Sequence, residues 1–259
     1  MTQAVDFAIV IPARFASLRL PGKLLLDVAG APLLEHTWRC AMAVGAVEVV
    51  IATDDSRIKT VAEGFGAEVE LTSPDHVSGT DRIAECAHNR GWAADRVIVN
   101  LQGDEPLMPS RCLQQVAQGL SSDRSADVAT LCTRIRDPDE VNNPNVVKVV
   151  SARDGGAMMF SRSPLPMARN YKNALDAMAA GINWYRHLGL YAYRRKSLDW
   201  FAATGPSALE QAEGLEQLRF LEHGRRIWID QASADIPPGV DTEAELHAVS
   251  QILSDSGTK

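Results

Sequence analysis

The sequence predicts an α/β fold: a mostly parallel sheet flanked by helices, with a smaller β-rich region in its second half. Two observations carry that expectation. FAIVIPA (7–13), VEVVIAT (47–53) and RVIVNLQG (96–103) are apolar nearly throughout and end at Gly, Pro or Asp, as strands buried on both faces do. Segments of helical period lie between them, and strand alternating with helix implies parallel strands joined by right-handed crossovers.

Each element follows in order. After the first strand, PLLEHTWRCAMAVG (32–45) has apolar residues at helical spacing and ends on Gly45, a C-cap residue. GTDRIAECAHNRG (79–91) repeats the design and again closes on Gly. In the second half, PNVVKVVSA (144–152) and GAMMFSRSP (156–164) form a strand pair turning at Asp154-Gly155-Gly156. HLGLYAYRR (187–195) and RRIWIDQ (225–231) are further strands, while 168–185 is open between a surface helix and a loop. TEAELHAVSQIL (242–253) is a final helix, with Thr242 and Glu245 as a capping box. With no Ser/Gly linker, low-complexity tract or repeat, one α/β domain over 1–259 is the expectation.

Composition narrows the function classes. A net charge of −7 argues against a generic nucleic-acid surface or an anionic membrane. The cysteines, Cys40, Cys86, Cys112 and Cys132, form no Cys-x-x-Cys pair, which fits reduced thiols better than a zinc site or a secreted disulfide framework. Residues 1–13 carry no Lys or Arg, and no apolar run reaches the roughly 18 residues of a membrane span. A cytoplasmic protein is expected.

Against this acidic background the first loop is positive. Arg14, Arg19 and Lys23 follow the first strand with no acidic residue among them, at the carboxyl end where open α/β sheets bind ligands. Such a loop suits a polyphosphate; a solvated basic loop is the alternative. It is neither a P-loop, because Gly22-Lys23 is followed by Leu24, nor a Gly-x-Gly-x-x-Gly fingerprint. Asp104 and Glu105 follow the third strand at the same sheet edge, where a carboxylate could hold magnesium or simply make a turn before Pro106. Asp241 precedes Thr242 and reads, taken alone, as part of a helix cap. Ser78 and Asp81 likewise cap a helix start in SGTDR (78–82).

IPARFASLRLPGK (11–23) resembles the signature loop of the 3-deoxy-D-manno-octulosonate (Kdo) cytidylyltransferases. LTSPDHVSGTDRIAE (71–85), VNLQGDEPLMP (99–109), NPNVVKVV (143–150), FSRSPLP (160–166), RHLGLYAY (186–193), LEQLRFLEHG (215–224) and GVDTEAEL (239–246) resemble further motifs of that family in the same order. The resemblance implies a Rossmann-like sheet of nucleotidyltransferase type and a magnesium-dependent reaction of CTP with Kdo, giving CMP-Kdo and pyrophosphate for lipopolysaccharide synthesis. It also implies a cytoplasmic homodimer. Carried onto this sequence, it puts Arg14, Arg19 and Lys23 on the triphosphate, and Ser78, Gly79 and Thr80 around the cytidine. Asp104 and Asp241 fall on the metal, with Arg14, Lys23 and both aspartates as the catalytic set. Gln102, Arg162, His187, Tyr191, Glu216 and Gln217 fall on the sugar, with Arg162 as a fork for its carboxylate. The CMP-sialate synthetases are the nearest rival, but their first loop runs Arg-Gly-Gly-Ser-Lys-Gly, unlike 14–23 here.

Overall fold

A computed structural model describes residues 5–16 and 20–256. The first half runs β1 (Phe7–Ala13), a 3₁₀ turn (Lys23–Leu25), the short pair β2 (Asp27–Val28) and β3 (Ala31–Pro32), and α1 (Leu33–Met42). It continues through β4 (Glu48–Thr53), α2 (Ser56–Gly64), β5 (Glu68–Leu71), α3 (Gly79–Asn89), β6 (Val97–Asn100), α4 (Ser110–Ser122) and β7 (Val128–Arg134). The second half holds α5 (Pro138–Asn142), β8 (Lys148–Ser151), β9 (Ala157–Ser161), α6 (Ala174–Ala179) and β10 (Tyr185–Arg194). It ends with α7 (Arg195–Ala203), α8 (Ala208–Glu213), α9 (Gln217–Glu222), β11 (Ile227–Gln231) and α10 (Glu243–Ser256).

The main sheet has the order β11-β7-β10-β6-β1-β4-β5, with β8 pairing β10 and β9 pairing β8. All strands along that order run the same way except β10, which is antiparallel to both β6 and β7. The mostly parallel sheet is therefore as the sequence predicts, and β8, β9 and the start of β10 form its antiparallel, β-rich extension.

β1 is buried from end to end, and its alternating side chains serve two cores. Phe7, Ile9, Ile11 and Ala13 pack with α1, α2, α4 and α10, whereas Ala8 and Val10 pack with α3, α7 and α9. Gly45 (φ 81°) follows α1 and Gly91 (φ 62°) follows α3, both left-handed, as their predicted capping places require. The ambiguous stretch 168–185 contains a short helix, α6, capped by Asn173, whose side chain accepts from the Asp176 N–H at 2.8 Å. Ala177 and Trp184 anchor it against Ile135 and Val141 in a small third core.

Candidate active site

At the end of β1 the chain turns straight into Arg14, and the loop closes where the Gly22 N–H reaches the Phe15 carbonyl at 3.2 Å. Gly22 is left-handed (φ 66°), a backbone conformation that favours glycine, and a Cβ there would crowd the Phe15 ring at 3.2 Å. That turn starts the 3₁₀ segment and aims Lys23 into the sheet's carboxyl edge. Its Nζ donates to Asp104 Oδ2 at 2.5 Å, Asp241 Oδ1 at 2.9 Å and the Val240 carbonyl at 2.9 Å.

The two aspartates, remote in sequence, thus meet at one ammonium. Burial alone would lower the Lys23 pKa, but hydrogen bonds to Asp104 and Asp241 and their charges outweigh it and raise it, keeping the lysine cationic. Backbone contacts fix the meeting point, for the Val240 N–H donates to the Asp104 carbonyl at 2.9 Å. A Cβ at Gly239 would lie 3.3 Å from that same carbonyl oxygen.

The capping role read for Asp241 belongs to its neighbour. The Glu245 N–H donates to Thr242 Oγ1 at 3.3 Å, and Glu245 Oε2 accepts from the N–H groups of Asp241 (2.8 Å) and Thr242 (2.9 Å). With that box closed by Thr242 and Glu245, the Asp241 carboxylate faces Lys23. Asp104 and Glu105 also part company. Asp104 faces Lys23, while Glu105 lines a different cavity with His187, Ile236 and Pro238. Glu105 Oε2 is buried without a hydrogen-bond partner, and burial, then the Asp104 charge, pushes that carboxyl up to about 8.

Beside Lys23 opens a cleft in two adjoining parts. One, of about 360 Å³, is walled by Arg14, Lys23, Ser78, Gly103 and Asp104. The other, of about 330 Å³, is walled by Thr80, Asn100, Tyr191, Tyr193 and Gln217. Gly79, Gln102 and Glu216 line both. A Cβ on Gly79 would lie 3.6 Å from Pro12 and 4.0 Å from Gln102 Nε2, in the throat between the halves. Two buried nitrogens, Arg14 Nη2 and Gln217 Nε2, have no partner, one for each half of the cleft. In the first half a cation awaits an anion, and in the second an amide donor awaits an acceptor.

Asp104 and Asp241 also suit a hard divalent cation, which takes oxygen ligands and completes its shell with phosphate and water. Among the described residues no group of three or more His, Cys, Asp or Glu side chains is placed to hold a metal by itself.

A cytidylyltransferase family model matches residues 8–227. The chain is 46% identical over 251 residues to the 3-deoxy-manno-octulosonate cytidylyltransferase of Hahella chejuensis, covering 96% of this chain and 98% of that one. It is 48% identical over 248 residues to the enzyme of the same name from Pseudomonas fluorescens, covering 95% and 98%. The chain belongs to the 3-deoxy-manno-octulosonate cytidylyltransferase family. A solved CMP:2-keto-3-deoxy-manno-octonic acid synthetase complexed with CTP superposes with a TM-score of 0.87 at 41% identity, over 97% of this chain and 99% of that one.

The site residues expected from the sequence resemblance divide three ways in this fold. Arg14, Lys23, Ser78, Gly79, Thr80, Gln102, Asp104, Tyr191, Glu216 and Gln217 all line the cleft, and Asp241 joins it through Lys23. Arg19 lies outside the described residues. Arg162 is placed otherwise than as an open fork. Its Nε donates to the Glu213 carbonyl at 2.6 Å and its Nη1 to the Pro144 carbonyl at 2.9 Å. It therefore holds the loop carrying Gly214 against β9, helped by Lys148, whose buried ammonium donates to the Arg162, Asn143 and Val146 carbonyls. Thr80, expected beside the cytidine, gives its hydroxyl proton to Glu216 Oε2 at 2.7 Å.

His187 stands one layer behind the cleft, its ring 5.3 Å from Tyr191 and 4.9 Å from Phe160. The Thr130 hydroxyl has one proton and faces the carbonyls of Leu190 (2.8 Å) and Leu188 (3.1 Å), so it accepts from His187 Nε2–H at 3.0 Å. Burial pulls this imidazole down to about 3. An unfolded histidine titrates near 6.5, so between pH 6.5 and 3 the unfolded chain binds the extra proton and stability falls as pH falls. His187→Gln keeps an N–H for Thr130 and has nothing to protonate. Urea unfolding at pH 7 and pH 4.5 should show a smaller acid loss in this variant than in the wild type.

Two polar side chains of the cleft were missed in the sequence, Asn100 and Tyr193. Period-two spacing would have found them, since each lies two residues from an assigned neighbour, Gln102 or Tyr191.

Proposed function

We propose that this enzyme activates Kdo with CTP, releasing pyrophosphate and forming CMP-Kdo for lipopolysaccharide synthesis. The observation that carries this is the convergence of Asp104 and Asp241 on Lys23, at the mouth of a cleft with one basic and one hydroxyl-reading half. In the reaction the anomeric 2-hydroxyl oxygen of Kdo attacks the α-phosphorus, the bond from that phosphorus to the oxygen bridging to the β-phosphate breaks to release pyrophosphate, and the hydroxyl proton passes to solvent water. Such a transfer asks chiefly for in-line positioning and neutralised charge.

Arg14 and Lys23 hold the triphosphate. The turn at Ser78–Gly79 brings backbone to the cytidine. Gln102, Glu216 and Gln217 orient the sugar, with Tyr191 and His187 behind them. Asp104 and Asp241 would hold magnesium, which supplies charge neutralisation at the phosphate and a lowered pKa for the sugar hydroxyl. We further propose a cytoplasmic homodimer; no described helix is long and apolar enough to cross a membrane.

Pyrophosphate release with CTP, magnesium and either Kdo or N-acetylneuraminate tests the reading. Release with Kdo and not with the sialate is expected, and the reverse result overturns it. Arg14→Ala should cut kcat/KM for CTP on the order of 100-fold, as expected for a lost charge at a phosphoryl site. Because the removed Nη2 has no partner in the fold, Tm should move by no more than about 2 °C.

A further inference from the structure

α3 turns two charged side chains, Arg82 and Glu85, toward the segment that leads into it. The buried Arg82 donates from Nη1 to Thr72 Oγ1 at 2.5 Å and pairs with Asp54 at 3.1 Å. The Thr72 N–H reaches the Thr53 carbonyl at 2.9 Å, and at the far end the Asp81 N–H donates to Ser78 Oγ at 3.1 Å. The segment is thus tied at both ends. Between them, among the described residues, no backbone–backbone hydrogen bond involves 73–77. Every hydrogen bond from this span to the rest of the described fold ends on Glu85. Its Oε2 accepts from the Ser73 N–H at 2.8 Å and from His76 Nε2. Burial would raise the Glu85 carboxyl, but the bonds from Ser73 and His76 outweigh it and lower it. An ionised carboxylate can only accept, so the His76 Nε2 carries the shared proton. The bonds between Ser73 and Asp75 stay inside the span.

We propose that Glu85 is a positioning residue for the nucleotide: it holds 73–77 as the outer wall of the Lys23 half of the cleft, and thereby sets the affinity for CTP rather than the rate of transfer. The inference rests on assigning that half to CTP. Val77, beside the capping Ser78, lines that half together with Arg14 and Lys23, and is 88% exposed. An apolar side chain so open to water has area to lose when a nucleotide settles against it. A span with no ladder of its own wanders unless it is tethered. Only the molecules with the wall in place bind at full strength, so apparent affinity falls in proportion to their fraction. Once CTP is bound the wall is in place, and turnover at saturation is unaffected. The other half of the cleft is lined by no residue of 73–77, so the sugar does not feel the change.

Glu85→Leu removes both contacts and keeps a good helix former in α3. With magnesium present, CTP binding by calorimetry and KM for CTP should each weaken about tenfold, with kcat and KM for Kdo within about twofold of the wild type. Glu85→Gln keeps an acceptor oxygen without the charge, and its CTP affinity should stay within about threefold of the wild type. His76→Ala cuts one tether from the loop side, and added to Glu85→Leu it should cost almost nothing further, since both remove the same bond. Amide exchange over 72–78 should quicken in Glu85→Leu and slow again with CTP. An unmoved CTP affinity, equal losses for CTP and Kdo, or a Glu85→Gln as weak as Glu85→Leu would overturn the proposal. Should the melting curve show that Glu85→Leu does not fold, His76→Ala alone carries the same split between CTP and Kdo. A wild type that binds no CTP would defeat the proposed function, whereas a wild type that binds CTP beside an indifferent Glu85→Leu defeats this inference alone.

Discussion

Asparagine in place of Asp104 or of Asp241 should abolish measurable turnover and leave thermal unfolding nearly unchanged. Both carboxylates reach the Lys23 ammonium, at 2.5 and 2.9 Å. Asn keeps size and most hydrogen bonding at either place but removes the charge that would hold a hard cation. The fold has little to lose. Lys23 retains the other aspartate and the Val240 carbonyl, and helix capping rests with Thr242 and Glu245. If Asp241 acted as a cap, its loss would cost roughly 1 kcal/mol of stability and spare activity. Pyrophosphate release and a melting curve on each purified variant decide between the two outcomes.

Lys23→Ala should be nearly as damaging, with kcat falling on the order of 100-fold or more, and it carries a second signature. The lysine is the cation between two carboxylates whose side chains are 25% and 43% exposed. Removing it leaves like charges facing each other, so Tm should fall modestly at low ionic strength. Magnesium should then raise the Tm of Lys23→Ala more than that of the wild type, because the ion replaces the missing charge. A Lys23→Ala Tm that magnesium leaves unmoved would mean that the aspartates do not share a metal.

The parts of the fold legible in sequence are those fixed by local chemistry. FAIVIPA reads as a doubly buried strand because seven consecutive residues are inside. α3 and α10 announce themselves through Ser78 and Thr242. α4 was also readable, with Cys112, Leu113, Val116, Ala117 and Leu120 at helical spacing, although its Pro109 N-cap offers no side-chain signal. What could not be read locally is orientation. Nothing in HLGLYAYRR says that the strand runs against its neighbours, since direction is settled by partners more than fifty residues away. The candidate site divides in the same way. Cleft-lining residues such as Lys23 and Glu216 follow from motif position, whereas the Arg162 fork looks the same in sequence whether it meets a carboxylate or, as here, peptide carbonyls. The Lys23 bridge to both aspartates depends on two loops meeting across the sheet edge.

The reversed strand β10 bears on how the chain is made. It lies between β6 and β7, so until residue 194 has left the ribosome those two strands expose their facing edges, unsatisfied N–H and C=O groups included. Joining them needs contacts across long loops, which are slow to close. The half-formed sheet is thus a window for wrong pairing between nascent chains. Since β10 also brings in Tyr191 and Tyr193, a chain stopped before Tyr185 would have the basic loop and Asp104 but lack the tyrosine wall of the cleft. Asp241 comes later still, so the pair of carboxylates on Lys23 is the last part of the site to be completed in synthesis.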